Sequence, residues 1–430
     1  MQMPLFGTSG IRRKFDRDLL EIALRTGMAL GAIHKEVVVG RDTRTSGNAL
    51  KQAVVSGLLA AGAKCYDSGI VPTPTLALTA RQFRAGVMIT ASHNPPEYNG
   101  IKVFNPDGSS FDSAQQAELE DAILSGSLST AAWSRVETTC FSHEKAIEEH
   151  IEHILQSVKA KAGVSVVLDC DCGAGSLISP FLLRRMGCNL VALNCHPSGF
   201  FPHEIEPVEK NLGDLIKVTK ELGGIGIAHD GDADRMMAVD DKGRFIPGDK
   251  LLVLLARQAG AKEVVTTVDT SMIVDETGFR VNRTKVGDSF VSERLRDGGD
   301  FGGEPSGAWI FPESSFCPDG IYAAAALVEI AGRERLSSLV DDIPQYPVLR
   351  GSVAHDGTAM SDLKKKLVSL KPASIDDRDG LKLVFGDGWL LVRPSGTEPK
   401  MRITAEAKNE ARVHELYDSA VKAIGRTWNE

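Results

Sequence analysis

The chain has 430 residues, 42% of them hydrophobic, enough for several cores; at roughly 100 to 200 residues per domain it should hold about three or four. A formal charge of -8, with acids and bases interspersed, argues against a polyanion-binding surface and makes nucleic acid a poor partner. Met1-Gln2-Met3-Pro4-Leu5-Phe6-Gly7 is not a charged segment leading into an apolar stretch, and apolar runs such as 251–256 fall far short of a membrane span, so a cytoplasmic protein without membrane association is expected.

In chain order, Val37-Val38-Val39-Gly40 is a short β-branched run of the kind a buried parallel strand needs, and an amphipathic stretch over 49–61 follows it. Residues 86–90 form a second apolar run that ends at Ala91-Ser92-His93-Asn94. The acid-rich segment 144–152 carries His150 and, just beyond it, His153, which share a helix face by spacing and are expected to be solvated, structural histidines. Val166-Val167-Leu168-Asp169 repeats the strand pattern, with a helical stretch over 179–186 and a further strand over 224–228 entering His229-Asp230-Gly231-Asp232. Val264-Val265-Thr266-Thr267 begins a third repeat, and a weaker strand near Asp300 leads to Gly303-Glu304-Pro305-Ser306. A repeated α/β unit accounts for all three, with loops past the carboxyl ends of parallel strands as the place for chemistry. After Pro344 and Pro347 the pattern changes to a helix over 360–370, strands over 381–385, 388–393 and 401–405, and a final helix, which indicates a separate α+β domain. The expected domains are therefore 1–143, 144–245, 246–347 and 348–430.

The seven cysteines (Cys65, Cys140, Cys170, Cys172, Cys188, Cys195 and Cys317) are scattered and odd in number, so reduced thiols are expected. Cys170-Asp171-Cys172 with Cys195-His196 superficially suggests zinc, but the C-x-C spacing is wrong for a zinc site and a structural role is expected.

Four loops carry chemistry. Thr90-Ala91-Ser92-His93-Asn94-Pro95-Pro96 places a serine in a proline-ended turn directly after a strand, a geometry that suits an exposed nucleophile. Lys102, close behind in Asn99-Gly100-Ile101-Lys102, could act as a general acid or base if its neighbours lower its pKa. In Asp230-Gly231-Asp232-Ala233-Asp234-Arg235 three carboxylates alternate and would repel unless a hard cation compensates them. An EF-hand is excluded because Arg235 and Asp241 stand where its glycine and final glutamate belong. Three protein oxygens would leave an octahedral magnesium ion with open positions, which phosphate oxygens fill at phosphoryl-transfer sites. Glu304 and Ser306 offer an acceptor and a donor for sugar hydroxyls. Arg393-Pro394-Ser395-Gly396-Thr397-Glu398-Pro399 joins an arginine to two hydroxyls and a glycine, a candidate phosphate clamp.

These segments, in this order and with Phe6-Gly7-Thr8-Ser9-Gly10-Ile11-Arg12 at the start, resemble the α-D-phosphohexomutase family over nearly the whole chain. The resemblance implies three similar mixed α/β domains plus a C-terminal α+β domain around a central cleft. It implies that Ser92 is the phosphoserine, that Asp230, Asp232 and Asp234 hold magnesium together with an oxygen of Ser92, and that Glu304 and Ser306 grip the sugar. It further implies that Arg12, Lys102 and Arg235 steady the active phosphoryl group, with His93 among the catalytic candidates beside Ser92. Lys285 matches a cleft lysine, and Arg393, Ser395, Gly396 and Thr397 would bind the non-reacting phosphate.

Gly-Thr-Ser-Gly-Ile-Arg and the Arg393 loop are most similar to the branch acting on glucosamine phosphates, whereas Ala308 follows Glu304-Pro305-Ser306-Gly307 where the bacterial pattern has histidine. The expectation is interconversion of glucosamine 6-phosphate and glucosamine 1-phosphate through a 1,6-bisphosphate, which also serves as activator, by a monomer or homodimer whose partner is a small phosphosugar. The C-terminal domain is expected to close over the substrate about a hinge near 346–351. Mannose or glucose phosphates are the alternative substrates; a phosphatase and a non-catalytic sugar-phosphate sensor are the rival activities.

Overall fold

The computed structural model describes residues 4–7, 9–159, 162–354, 360–394 and 400–425. The chain divides into two compact units, Met1–Ala261 with Gly287–Asp341, and Lys262–Val286 with Asp342–Glu430.

In the first unit the Val37 run forms the strand Glu36–Arg41, in the middle of a seven-stranded sheet. Its interior residues are all buried, as a strand covered on both faces requires. Parallel partners Lys64–Ile70 and Ala85–Ile89 flank it, while Tyr98–Phe104 and Gly10–Lys14 extend the sheet antiparallel on the Ala85–Ile89 side. The helix Arg17–Ile33 starts at Asp16, whose side chain accepts the Leu19 N–H, and packs with Gly47–Ala60 against Val37, Val39, Val87 and Ile89. Two glycines permit close approach at the functional end. A Cβ on Gly100 would strike the Ile11 carbonyl and come within 2.8 Å of Thr90 O, and one on Gly231 would lie 2.8 Å from Ser92 O.

The second repeat is a five-stranded mixed sheet in which Ser165–Asp169 pairs in parallel with Ile225–His229 and Asn189–Leu193. Met236–Val239 returns antiparallel to Ile225–His229, so residues 230–235 form the tight connection between these two buried strands. The hairpin Phe301–Glu304 with Ala308–Ile310 carries the Glu304 turn.

In the second unit Val348–Ala354, Lys400–Ala407, Gly388–Pro394, Leu381–Phe385 and Ser374–Asp376 make an all-antiparallel sheet. The helices Met360–Val368 and Glu410–Ile424 cover it, burying Leu363, Leu367, Val413 and Leu416 against Leu383, Leu390 and Ile403. This is the α+β tail, with one correction. Val348 to Gly351 of the expected hinge are locked in a backbone ladder with Lys400–Ala407, the half-exposed alternation of Val348–Ala354 being that of an edge strand. The same unit contains the parallel pair Glu263–Thr267 and Arg280–Thr284. Val268 packs on Trp389 and Leu391, and Glu406 accepts from Ser271 Oγ, from Met272 N at 2.7 Å and from Trp389 Nε1 at 2.5 Å.

Among the described residues no helix is long and apolar enough to cross a membrane. The seven cysteines are free. Cys172 Sγ lies 3.6 Å from His196 Nε2. His150 differs from expectation: it is buried, 2.8 Å from Thr75 Oγ1 and 2.9 Å from Asp319 Oδ2, because its helix Ala146–Ser157 packs its inner face on the helix Thr73–Thr79.

Candidate active site

Ser92 follows the strand Ala85–Ile89 and has φ 51, in the left-handed region, at a cost of about 1 to 2 kcal/mol for a residue with a Cβ. Neighbouring bonds impose this backbone: Thr90 Oγ1 accepts the Ser92 N–H at 2.9 Å, and Arg44 Nη2 donates to its carbonyl at 2.7 Å. Its hydroxyl donates to Asp230 Oδ2 at 2.6 Å and lies 3.2 Å from His93 Nδ1. Burial, reinforced by the positive charges of Arg235 and Arg12, lowers the His93 pKa to about 2 and keeps the ring neutral.

Asp230, Asp232 and Asp234 occupy the connection after Ile225–His229, where Ala233 at φ 55 turns the chain so that all three carboxylates face inward. All are buried, and one oxygen from each lies within 4.8 Å of the others. Burial and the adjacent carboxylates of Asp234 and Asp232 push the Asp230 pKa well above the usual range. Burial and Asp232 likewise raise Asp234. Burial also opposes ionisation of Asp232, but Lys102 and the Thr73 hydroxyl, 2.5 Å from Oδ2, outweigh it and hold this carboxyl low. Asp232 Oδ1 is buried with no hydrogen-bond partner among the described residues.

Lys102 stands on Tyr98–Phe104 opposite Met88, and its Nζ lies 2.9 Å from Asp232 Oδ2 and 2.6 Å from Asp234 Oδ2. The expected lowering of its pKa is not found. Burial alone would lower it, but the two carboxylates overcome that and raise it, so the ammonium form is held. Arg12, on Gly10–Lys14, donates to Asn94 Oδ1 at 3.0 Å and so reaches the loop of Ser92. Arg235 is 3.4 Å from Glu206. Glu304 ends the strand Phe301–Glu304 and accepts the Gly287 N–H at 2.8 Å; Ser306 lies in the turn that follows. Trp309 is fully buried with its indole N–H on Met236 O, a structural role that keeps the ring out of the site.

Lys285 and Arg393 belong to the second unit. There Asp379 Oδ2 accepts both Arg393 Nη1 at 2.8 Å and the Val286 N–H at 3.0 Å, tying the arginine to the segment that carries Lys285. Ser395, Gly396 and Thr397 lie outside the described residues. Sequence reasoning missed Thr73, Asp42, Arg44 and Asp288. The first three follow strands of the first sheet, so the rule about carboxyl ends of parallel strands could have marked them. Asp288 opens a helix and accepts from Ser9 Oγ, and no local motif announces it.

A buried serine hydroxyl bonded to one of three clustered carboxylates, with a lysine and two arginines nearby, is equipped for phosphoryl transfer. Descriptions of one protein family match the chain in order: Phosphoglucomutase/phosphomannomutase, alpha/beta/alpha domain I at 3–129, domain II at 148–243, domain III at 247–346 and the C-terminal domain at 352–423. A probable phosphoglucosamine mutase of Methanocella arvoryzae is 46% identical over 434 residues, covering 99% of this chain and 98% of the relative. A phosphoglucosamine mutase of Methanococcus aeolicus is 42% identical with both chains fully covered at 100%. A phosphoglucomutase/phosphomannomutase family protein from Burkholderia thailandensis superposes with a TM-score of 0.88 at 28% identity, covering 98% of each chain. The chain belongs to the phosphoglucomutase/phosphomannomutase family. It is a phosphosugar mutase of the α-D-phosphohexomutase type.

Proposed function

We propose that this mutase interconverts glucosamine 6-phosphate and glucosamine 1-phosphate, with Ser92 as the carrier of the phosphoryl group. The hydrogen bond from Ser92 Oγ to Asp230 Oδ2, at 2.6 Å inside the three-aspartate cluster, carries this reading, and the names borne by relatives at 42 to 46% identity support the sugar. Phosphorylated Ser92 gives its phosphoryl group to the free hydroxyl of the sugar monophosphate, forming a 1,6-bisphosphate. The bisphosphate reverses its orientation, and Ser92 Oγ takes back the other phosphoryl group. Lys102 Nζ, kept protonated, and the guanidinium groups of Arg12 and Arg235 lower the cost of charge on the transferring group. Glu304 and Ser306 hold sugar hydroxyls, while Lys285 and the loop of Arg393, Ser395, Gly396 and Thr397 bind the phosphate that is not reacting.

Asp230, Asp232 and Asp234 fit magnesium: the donors are all oxygens, they converge within 4.8 Å, and Asp232 Oδ1 lacks any other partner among the described residues. When bound there with an oxygen of Ser92, magnesium supplies positive charge to the phosphoryl oxygens. A hexose or hexosamine 1,6-bisphosphate would prime Ser92. We place domain limits near 143, 245 and 348.

Ala308, standing where histidine is found in the bacterial pattern, favours one second reading, a broader enzyme that also accepts mannose or glucose phosphates. The test compares kcat/KM for glucosamine, mannose and glucose phosphates with magnesium and a trace of bisphosphate. A clear preference for glucosamine phosphate supports the proposal, and comparable values support the broader enzyme. Stoichiometric release of inorganic phosphate contradicts both.

A further inference from the structure

Arg44 is 1% exposed and lies in Asp42-Thr43-Arg44, just past the strand Glu36–Arg41. Its guanidinium donates to four backbone carbonyls, all on or directly after the serine loop: Nη2 to Ser92 O at 2.7 Å and Asn94 O at 2.6 Å, Nη1 to Pro95 O at 2.8 Å and Tyr98 O at 2.9 Å. The Phe201 ring covers it, 5.4 Å from Cζ. Asp42, fully buried, seats the arginine: Oδ1 accepts the Arg44 N–H at 2.9 Å and Oδ2 accepts Nε at 3.2 Å. The same Oδ2 accepts Thr90 Oγ1 at 2.6 Å, and Thr90 Oγ1 in turn accepts the Ser92 N–H at 2.9 Å. Both ends of the Ser92 residue therefore trace to one carboxylate, the N–H through Thr90 and the C=O through Arg44.

A buried cation costs desolvation energy, and a residue serving only as filler would be apolar. Here every guanidinium donor not on Asp42 goes to a segment whose backbone is strained, with Ser92 at φ 51. Such strain persists only where the surroundings over-determine it. The fork geometry also matters. A planar guanidinium reaches four carbonyls spread over residues 92 to 98, whereas an ammonium offers three donors from a single point.

We propose that Arg44, seated on Asp42, is a positioning residue that holds the Ser92 loop in its left-handed conformation and so aims Oγ toward Asp230 for phosphoryl transfer. This deepens the reading of Ser92 as the phosphoryl carrier and rests on it.

The test uses the full-length enzyme with Arg44→Lys, which keeps the charge and loses the fork, beside Ser92→Ala as a control. Melting temperature, the fraction of protein phosphorylated by hexose 1,6-bisphosphate, kcat and KM are measured together. The expected result for Arg44→Lys is a folded protein with KM within about threefold of wild type and kcat, per phosphorylatable molecule, lower by about 100-fold, the cost of a misplaced reacting atom. A kcat within about threefold of wild type overturns the proposal, as does a loss that only follows the folded fraction. Should Arg44→Lys fold poorly, Thr90→Val takes its place, cutting the Asp42 link to the Ser92 N–H without touching a charge. Its kcat should then fall about tenfold at unchanged KM, and an unchanged kcat overturns the proposal. Full activity of Ser92→Ala would instead remove the carrier reading, so the two failures are distinguishable.

Discussion

Ser92 Oγ donates to Asp230 Oδ2 at 2.6 Å although the two residues are 138 positions apart in the chain. They stand on separate sheets, Ser92 just past the interior strand Ala85–Ile89 of one and Asp230 just past the interior strand Ile225–His229 of the other. Ser92→Ala removes the only atom of this residue that can carry a phosphoryl group and opens no large cavity. Turnover should fall by at least about 10⁴-fold, with the melting temperature little changed. Steady-state assays and a thermal melt of the same preparation check this.

Asp230→Asn should weaken magnesium binding and turnover together. Burial, and after it the carboxylates of Asp234 and Asp232, raise the Asp230 pKa, and a divalent cation relieves both the lost solvation and the repulsion. Magnesium should therefore raise the melting temperature of the wild-type protein, and chelation should reverse the rise. In Asp230→Asn the midpoint for magnesium in this melt should shift to about tenfold higher concentration or more. An unchanged midpoint argues against ligation by Asp230.

His150→Ala should destabilise the first unit without altering the chemistry. The ring bridges Thr75 and Asp319 in the interior, and Asp319 also caps the helix Gly320–Ala331 through the Ile321 and Tyr322 N–H groups. Losing the ring leaves a buried carboxylate short of one partner, a loss of about 3 to 5 kcal/mol in unfolding free energy by denaturant titration.

Lys382 gives the second unit a pH-dependent stability. Its ammonium lies 4.2 Å from the Trp389 ring and donates to Val268 O at 2.5 Å, both of which favour charge. Burial, joined by Arg283, weighs more and lowers its pKa from 10.5 to about 7. Below pH 7 folded and unfolded forms both hold the proton, so the cost of burying the charge is fully present. Between about 7 and 10.5 the folded form releases its proton first, the unfolded form binds more protons, and stability rises with pH. The difference between wild type and Lys382→Met, measured by denaturant melts from pH 6 to 9.5, should shrink in apparent penalty as pH rises. Parallel pH profiles for the two proteins would contradict it.

The parts of the site that lie in one short segment were legible in the sequence. Ser92 in its proline-ended turn and the alternation of Asp230, Asp232 and Asp234 stand out in short segments, and the structure brings these side chains together. The strands at Val37, Val166 and Val264 were legible for a related reason, since a strand buried on both faces must be continuously apolar. What escaped depends on contacts distant in sequence. The Lys102 pKa moves opposite to expectation because Asp232 and Asp234, 130 and 132 positions away, are its neighbours. His150 sits in an acid-rich helix that reads as solvated, yet its partner Asp319 is 169 positions on. Val348–Ala354 alternates at the edge of a sheet and follows a proline, which by composition looks like a linker.

The most direct test of the central claim follows one phosphoryl group. The enzyme is loaded from radiolabelled hexose 1,6-bisphosphate, freed of sugar, and chased with unlabelled glucosamine 6-phosphate. The account predicts label on Ser92 before the chase and label on sugar phosphate after it, with none on Ser92→Ala. Label appearing as inorganic phosphate, or label carried by Ser92→Ala, would contradict it.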